Sequence, residues 1–380
     1  MFGLYESAFG LLDWRSIVML VIGGLLIYLG IARKMEPLLL VPIGFGVLLV
    51  NLPLGGLMET VDGEPVGVIA RVFQLGLVSE IIPVFIFLGL GAMTDFGPLI
   101  ANPKTLVLGA GAQFGVFFAL LLALLIGSAF PDVIKIGLNE ACSIGIIGGA
   151  DGPTAIYLTN KLAPDLIGAT AVAAYTYMAL VPIILPPIIR VMTSKKERTI
   201  YMKPQMRKVS RKEKLFFPII AAIIIILLVP RSAPLVGMFM FGNLLAVSGV
   251  TKRLADTAAN AFMNILTVLL GLCVGCFMSA ENFLRPESLI VFALGVVAFA
   301  SSAAFGVMLA KLMNLFLKEK INPMIGAAGL SAVPMASRVV QKMGQQENPR
   351  NFLLMHAMGP NIAGVIGTAT VAGIFLGMLG

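Results

Sequence analysis

The chain has 380 residues, of which 58% are hydrophobic and only 12% are charged. Soluble domains carry about a quarter charged residues, so a water-soluble globule is excluded and a lipid bilayer is the expected solvent. The formal net charge is +8, but the basic residues lie between apolar runs, which favours the positive-inside bias of membrane proteins over nucleic-acid binding.

Apolar runs long enough to cross the hydrocarbon core recur along the whole chain. About twenty residues are needed for one crossing, and fewer where the bilayer is locally thin. The sequence therefore predicts an all-α integral membrane protein with about ten transmembrane helices. They are expected near residues 16–32, 37–52, 81–100, 105–129, 166–190, 215–231, 234–250, 259–280, 287–317 and 351–379.

Two further apolar segments, 139–155 and 322–336, are rich in glycine and end close to a proline, Pro153 or Pro334. Glycine frees the backbone to leave the helix, and proline removes a backbone donor. In a bilayer such a break persists only where protein buries it or where it lines a wet cavity. Both segments are therefore predicted to be broken-helix hairpins.

The longest polar linker, residues 193–214, carries nine lysines and arginines and is predicted to face the cytoplasm. It divides the chain into an N-terminal membrane half, 1–192, and a C-terminal membrane half, 215–380. Each half has one broken segment, followed by a span that Pro182 or Pro360 interrupts. Counting spans from the linker places the hairpins on opposite sides, which predicts an inverted repeat of the transporter kind.

Asp151 is the most informative single residue, because it lies in the glycine-rich first broken segment. An aspartate near the bilayer centre costs about 2.5–3.5 kcal/mol on insertion scales and usually handles ions or protons. A small hard cation such as sodium prefers carboxylate, carbonyl, amide and hydroxyl oxygens. The alternative is an aspartate at the tip of an interfacial loop.

Three neutral residues could supply further oxygens. Asn322 and Ser331 lie in the second broken segment, and Asn361 follows a Gly-Pro pair in the last span. A buried amide needs a partner, so each residue is either a cation ligand or one side of a hydrogen bond between helices.

Tyr177 and Arg338 have two readings each. The Tyr177 hydroxyl lies in mid-span and could donate to a carboxylate or relay a proton, although packing is the commoner role of such a tyrosine. Arg338 follows the second broken segment and could meet an anionic substrate, or it could be an ordinary cytoplasmic flanking charge.

Two patterns that look like known motifs are better explained by packing. Cys273 and Cys276 are three residues apart inside one apolar run, and a zinc site would need further ligands. Gly109 and Gly111 also lie in a transmembrane run, with no preceding strand to suggest a dinucleotide loop.

Three long stretches carry a resemblance to a known family. They are GIIGGADGPTAIYLTNKLAPDLIGATAVAAYTYMALVP (145–182), INPMIGAAGLSAVPMASRVVQKMG (321–344) and LMHAMGPNIAGVIGTA (354–369). The chain resembles, over nearly its whole length, the beta subunits of sodium-pumping decarboxylases. That family includes the oxaloacetate, methylmalonyl-CoA, glutaconyl-CoA and malonate systems.

The resemblance implies a function in a larger complex. An alpha subunit would transfer a carboxylate to biotin, and this chain would decarboxylate the carboxybiotin, consume a proton and export sodium across the cell membrane. Biotin would be carried by the partner, and a small gamma subunit would join the assembly, in which the chain could also form a homo-oligomer. The resemblance further implies an elevator-like motion.

The resemblance also assigns roles to residues that match the family motifs. Asp151, Asn322, Gly326, Ser331 and Asn361 would belong to sodium sites. Asp151, Tyr177 and Arg338 would take part in the reaction, with Arg338 on the carboxybiotin side. The alternative class is a sodium- or proton-coupled secondary transporter of a small carboxylate, without decarboxylase chemistry.

Overall fold

The computed structural model describes residues 8–131, 135–203 and 207–380, and most of them are helical. The first half contains α1 (Trp14–Ala32), α2 (Pro37–Val50), α3 (Val68–Phe73), α4 (Ile81–Met93), α5 (Gly97–Ala101), α6 (Thr105–Ala129), α7 (Leu138–Gly145), α8 (Gly152–Leu162), α9 (Ile167–Ala179) and α10 (Val181–Met192). The linker contains α11 (Lys195–Arg198). The second half contains α12 (Arg211–Leu228), α13 (Ala233–Val247), α14 (Lys252–Thr257), α15 (Met263–Cys276), α16 (Ala280–Phe283), α17 (Pro286–Phe316), α18 (Met335–Glu347) and α19 (Leu354–Leu379).

These helices make the chain a multi-pass, all-α membrane protein. Within the described ranges, five helical segments are long and apolar enough to cross a bilayer, and seven are if each of two bent pairs counts as one span. The five are α1, α6, α14 continued into α15, α17 and α19. Three other predicted spans form α2, α12 and α13, of 14, 18 and 15 residues.

Proline affects the two predicted interrupted spans differently. α9 and α10 meet at an angle of 72°, and Pro182 lies in the first turn of α10. In contrast, α19 continues through Pro360 without a break, so that part of the prediction is wrong. Membrane helices tolerate an internal proline where neighbouring groups satisfy the freed backbone.

The region between α2 and α3 contains a small β-hairpin, which the all-α prediction did not include. Strand β1 (Thr60–Val61) pairs antiparallel with β2 (Glu64–Pro65). The turn residues Asp62 and Gly63 have φ of 52° and 82°, and Asp-Gly is a preferred pair for this kind of two-residue turn. The Asp-Gly pair was therefore the available sequence signal.

Helix pairs from the two halves pack on each other reciprocally. α1 packs on α2 and α12 on α13, while α2 packs on α15 and α13 on α4. The two contacts between the halves, α13 on α4 and α15 on α2, are close at glycines. A Cβ added to Gly242 of α13 would lie 2.0 Å from the Leu88 carbonyl oxygen of α4. A Cβ added to Gly275 of α15 would lie 2.2 Å from the Ile43 carbonyl oxygen of α2. Such contacts are typical of membrane helices that approach each other closely.

The two cysteines of the apolar C-x-x-C pattern lie at this second contact. Cys273 and Cys276 are buried and carry free thiols. The Cys276 thiol donates to the Gly46 carbonyl oxygen at 3.6 Å, so these side chains contribute to the packing of α2 on α15.

The long helices α6 and α17 run antiparallel through the centre of the molecule. Gly111 lies against Leu309 and Gly115 against Ser302, so contacts ascend one helix as they descend the other. The two broken segments pack on this central pair. The first contacts α17 through Gly148, next to Ala298, and both segments also contact α6.

Both segments are broken as predicted. In the first, α7 is followed by a 3-10 helix (Ile146–Gly149), and Ala150 then adopts left-handed backbone with φ of 55° before α8 begins. In the second, a 3-10 helix (Pro323–Gly329) is followed by extended backbone at Leu330 and then by α18. Both breaks are buried inside protein, which meets the requirement for irregular backbone at membrane depth.

The described part of the basic linker is held to one end of the molecule by ion pairs. Arg198 contacts Glu347 at 2.7 Å, and Lys214 contacts Asp95 at 2.8 Å. Although partial burial opposes it, hydrogen bonds from Lys214 and the Gly97 amide lower the pKa of Asp95. Residues 204–206 of the predicted linker lie outside the described residues.

Candidate functional site

The two broken segments meet at the centre of the protein. The Ser331 amide donates to the Gly149 carbonyl oxygen at 2.8 Å, which joins the segments through their backbones. This contact lies beside the central helices α6 and α17 and places both breaks in one buried region. Paired broken helices at such a position are a common way to build an ion or substrate site.

Asp151 lies directly after the first break and caps the N-terminus of α8. Its Oδ1 accepts the Thr154 amide at 3.2 Å, as expected of an N-cap aspartate. The residue is only 4% exposed, and its Oδ2 has no hydrogen-bond partner among the described residues. Burying a carboxylate oxygen in this way is costly, so the site favours a cation or a proton there.

A tyrosine that was not predicted from the sequence as a site residue lies beside this carboxylate. A Cβ on Gly152 would lie 2.3 Å from Cζ of Tyr175, so the hydroxyl end of that ring packs on the residue next to Asp151. The Asp151 charge acts electrostatically on the Tyr175 hydroxyl. Tyr175 is two residues before Tyr177 in the same Tyr-Thr-Tyr triplet.

A second polar group crosses from the second broken segment to α19 and α6. The Ser331 and Thr368 hydroxyls are 2.8 Å apart, and the Gln113 amide donates to the Thr368 hydroxyl at 3.2 Å. All three residues are buried. Gln113 was not among the predicted site residues, although it stands alone as an amide in the apolar run of α6.

Asn361 pins the second broken segment from α19. Its amide donates to the Leu330 carbonyl oxygen, and its side-chain oxygen accepts the Ser337 hydroxyl at 3.0 Å. Asn361 is fully buried. The structure therefore brings Asn361 to the same short stretch of irregular backbone as Ser331.

Asn322 lies at the other end of the second 3-10 helix. Its oxygen accepts the Met324 amide at 3.1 Å, and its nitrogen donates to the linker carbonyls of Arg198 and Ile200 at 2.8 and 3.0 Å. Seven residues of 3-10 helix, at about 2.0 Å rise per residue, span about 14 Å. One ion cannot touch both ends of that helix.

Gly326 serves the packing of the same 3-10 helix on α17. A Cβ there would lie 2.1 Å from the Gly306 carbonyl oxygen, and a Cβ on Gly306 would lie 2.2 Å from that of Gly326. Two glycines facing each other let the backbones touch, which a larger residue on either side would prevent.

Tyr177 and Arg338 have interaction partners other than Asp151. The Tyr177 hydroxyl donates to the Phe292 carbonyl oxygen of α17 at 2.6 Å. Arg338 is exposed on α18, and its charge acts on Glu36 in the turn between α1 and α2. Burial raises the pKa of Glu36, and the Arg338 guanidinium opposes this rise.

A cationic cavity of about 770 Å³ opens at the linker end of the molecule. Inside it, the Nε2–H of His356 donates to the Lys203 carbonyl oxygen at 2.9 Å. In the described part of the chain, the His356 Nδ1 has no hydrogen-bond partner. The basic residues that line the cavity are Lys104, Lys203, Lys318 and Lys320. The volume is in the range of small-molecule sites.

Comparison with known proteins identifies close relatives over nearly the whole chain. The family model described as the Na⁺-transporting oxaloacetate decarboxylase beta subunit matches residues 15–379. The methylmalonyl-CoA decarboxylase subunit beta of Veillonella parvula is 54% identical, with 98% of this chain and 96% of the relative aligned. The protein of the same name in Propionigenium modestum is 52% identical, over 99% and 98%. Oxaloacetate decarboxylase beta chain 2 of Salmonella typhi is 50% identical over 94% of each chain.

Proposed function

Because the chain belongs to the family of Na⁺-transporting oxaloacetate decarboxylase beta subunits, we propose that it decarboxylates carboxybiotin delivered by a partner and couples this reaction to sodium export. A proton is consumed in each cycle. Family membership favours this function over that of a plain secondary transporter of a small carboxylate.

The observation that carries the coupling is the buried Asp151 Oδ2, which has no partner in the described residues. Sodium and a proton are alternative partners for this oxygen, and each satisfies it by neutralising its charge. A site that must release sodium to bind a proton, and release the proton to bind sodium, couples the movement of the two ions across the membrane. Asp151 is therefore the residue at which sodium is carried and the proton is taken up.

The other predicted site residues have distinct parts in this proposal. Ser331 and Asn361 supply oxygens where the second segment breaks, and they belong to the sodium path. Asn322 holds the linker end of the 3-10 helix, and Gly326 lets that helix lie directly on α17. In this conformation both position the second segment, and either becomes a sodium ligand only if the segment shifts.

The carboxybiotin side of the proposal lies at the linker end. Biotin, held by the partner subunit, supplies the carboxylate that is lost as carbon dioxide. The four lysines around the cationic cavity attract a carboxylate from the cytoplasm, and Arg338 does the same from α18. Tyr177, next to α17, lies within the membrane and is assigned to the proton side.

The architecture supports an inverted repeat of the two membrane halves. The α1–α2 pair of the first half corresponds to the α12–α13 pair of the second half. The contact of α2 with α15 corresponds to the contact of α13 with α4. The antiparallel helices α6 and α17 each precede a broken segment. We infer from this that about ten spans cross the membrane. The central pair with both broken segments would move as an elevator-like unit against the reciprocal pairs.

The same proposal fixes sidedness and assembly. The basic linker and the lysine-lined cavity lie at one end, which supports a cytoplasmic position for that end, and the membrane proposed for the chain is the cytoplasmic membrane. The linker would dock an alpha subunit that carries biotin, and the exposed apolar faces would meet lipid, a small gamma subunit or another copy of the chain.

The relatives also indicate what this subunit leaves to its partner. Proteins named for oxaloacetate and for methylmalonyl-CoA are 50% and 54% identical to the chain. Two such different acids at similar identity are expected if the beta subunit handles only the carboxybiotin that both reactions share. The upstream acid is then selected by the alpha subunit.

Reconstituted vesicles containing the complete complex test the proposal. We expect carbon dioxide release to require sodium and to drive uptake of radioactive sodium. Avidin, which sequesters biotin, should stop both processes together. Sodium uptake that continues in the presence of avidin would instead identify a plain transporter, and carbon dioxide release without sodium dependence would exclude coupling through this chain.

A further inference from the structure

Several buried oxygens have no hydrogen-bond partner within residues 8–131, 135–203 and 207–380, and three of them belong to residues at or beside the start of α8. These three are Asp151 Oδ2, the Thr154 hydroxyl and the Tyr175 hydroxyl. These residues are 4%, 0% and 2% exposed, so bulk water does not satisfy them. A buried polar group left without a partner is costly, and native structures avoid it except where a ligand, ion or ordered water belongs.

The three oxygens are held near one another by local structure. Asp151 caps α8 by accepting the Thr154 amide, which places the Thr154 side chain in the same first turn. Gly152, between them, leaves room for the phenol ring of Tyr175 from α9, whose Cζ would be 2.3 Å from an added Cβ. The sequence Asp-Gly-Pro-Thr therefore combines a carboxylate, an opening for a ring and a hydroxyl.

The neighbouring tyrosine shows that this arrangement is specific to Tyr175. The Tyr177 hydroxyl already donates to the Phe292 carbonyl oxygen. Residues two apart on a helix are about 200° apart around its axis, so Tyr175 and Tyr177 point in nearly opposite directions. Of the two rings, that of Tyr175 is the one that packs on Gly152, next to Asp151.

We propose that the hydroxyls of Tyr175 and Thr154 complete, with Asp151 Oδ2, a sodium site formed by the start of α8 and by α9. One carboxylate with neutral oxygens is a suitable ligand set for a small hard cation. When sodium has left, the Tyr175 O–H rotates and donates a hydrogen bond to Asp151. This inference rests on the proposed function and extends the ligand set of its sodium site.

The site is contained within the first membrane half. Ser331, Thr368 and Gln113 form their own hydrogen-bonded group between the second segment, α19 and α6. An ion at Asp151 is therefore bound by the first segment and α9 and can travel with them, while the Ser331 group lies next to Gly149 and is not part of this ligand set.

Chemical protection of Asp151 tests the ligand set without requiring turnover. In the purified complex, sodium should protect Asp151 from a carboxylate-modifying carbodiimide, and the half-protective sodium concentration reports binding. We expect Tyr175→Phe and Thr154→Val each to raise that concentration about tenfold or more, the loss typical when a charged group loses a neutral partner. Thr154→Ser keeps the hydroxyl and should stay within about twofold of wild type.

Tyr157→Phe is the matched control. It removes the hydroxyl of another buried tyrosine of helix α8, six residues from Asp151, whose ring lies 5.3 Å from the Lys161 ammonium. Its half-protective concentration should not change. A purely structural effect would reduce the yield of assembled complex and leave the concentration dependence unaltered.

The outcomes separate this inference from the proposed function. If sodium protects wild type, and Tyr175→Phe and Thr154→Val need only wild-type concentrations, the two hydroxyls are not ligands and the inference is overturned while the proposed function stands. If Tyr175→Phe does not assemble, the comparison of Thr154→Val with Thr154→Ser decides the question. If sodium gives wild-type Asp151 no protection, the sodium site itself is refuted.

Discussion

Replacing Asp151 by asparagine should separate folding stability from function. The buried carboxylate has one oxygen without a partner in the described chain, whereas asparagine keeps the shape and removes the charge. We therefore expect Asp151→Asn to fold and assemble with wild-type or greater stability. Sodium-dependent decarboxylation and sodium transport should both be lost, because a neutral amide does not offset the cost of dehydrating sodium.

The magnitude follows from ligand linkage. Sodium at one hundred times its Kd stabilises a folded protein by about 2.7 kcal/mol. For a chain of this length, average unfolding entropies convert that energy into a rise in Tm of about 3 °C. Wild type should show this rise when choline is replaced by sodium at constant ionic strength, and Asp151→Asn should show none. Asp151→Glu keeps the charge in a crowded turn, so partial activity with altered sodium affinity is expected.

Asp95→Asn provides the control for charge removal. Asp95 pairs with Lys214, but its side chain is 59% exposed, and exposed pairs contribute about 0–1 kcal/mol. This variant should keep the sodium-dependent rise in Tm and the sodium dependence of activity. A sodium response that survives in Asp151→Asn and disappears in Asp95→Asn would refute the assignment of Asp151 and move the ion site to the linker end.

Four further predictions concern the second segment and the linker. Ser331→Ala and Asn361→Ala should raise the sodium concentration for half-maximal decarboxylation, whereas wild-type sodium titrations in both would make these residues structural. Asn322→Ala removes a cap and two bonds to the linker, so it should cost about 1–2 kcal/mol in thermal unfolding, and an unchanged Tm would contradict its anchoring role. Gly326→Ala places a methyl group against the Gly306 carbonyl oxygen and should lower Tm or assembled yield at a cost of about 1–3 kcal/mol; wild-type stability would show that the 3-10 helix can move away. Substituting Lys195, Lys196 and Lys208 of the linker by glutamine should weaken copurification of the alpha subunit without changing sodium affinity. A changed sodium affinity with normal copurification would place the linker in the ion path.

Much of the candidate site could be predicted from the sequence because its chemistry conflicts with its surroundings. Asp151 stands out as a charge in apolar sequence, and the two breaks stand out as glycine-rich stretches that end near proline. The structure places both breaks in one region, joined by the Ser331 amide and the Gly149 carbonyl oxygen. Whether Asn322 and Ser331 can contact the same ion could not be predicted from their spacing in the sequence. Their separation depends on the 3-10 helix that lies between them.

Composition determined the class of this protein, and the glycine, proline and aspartate positions determined where its helices break. These features are local: a residue is charged, lacks a side chain or lacks an amide proton whatever surrounds it. The neighbours of Asp151 were decided only by tertiary structure. α9 is apolar around most of its circumference, so periodicity does not tell which face packs inward, and Tyr175 and Tyr177 are equivalent candidates by sequence. Packing against Gly152 and α17 directs Tyr175 towards Asp151 and gives the Tyr177 hydroxyl a backbone partner instead.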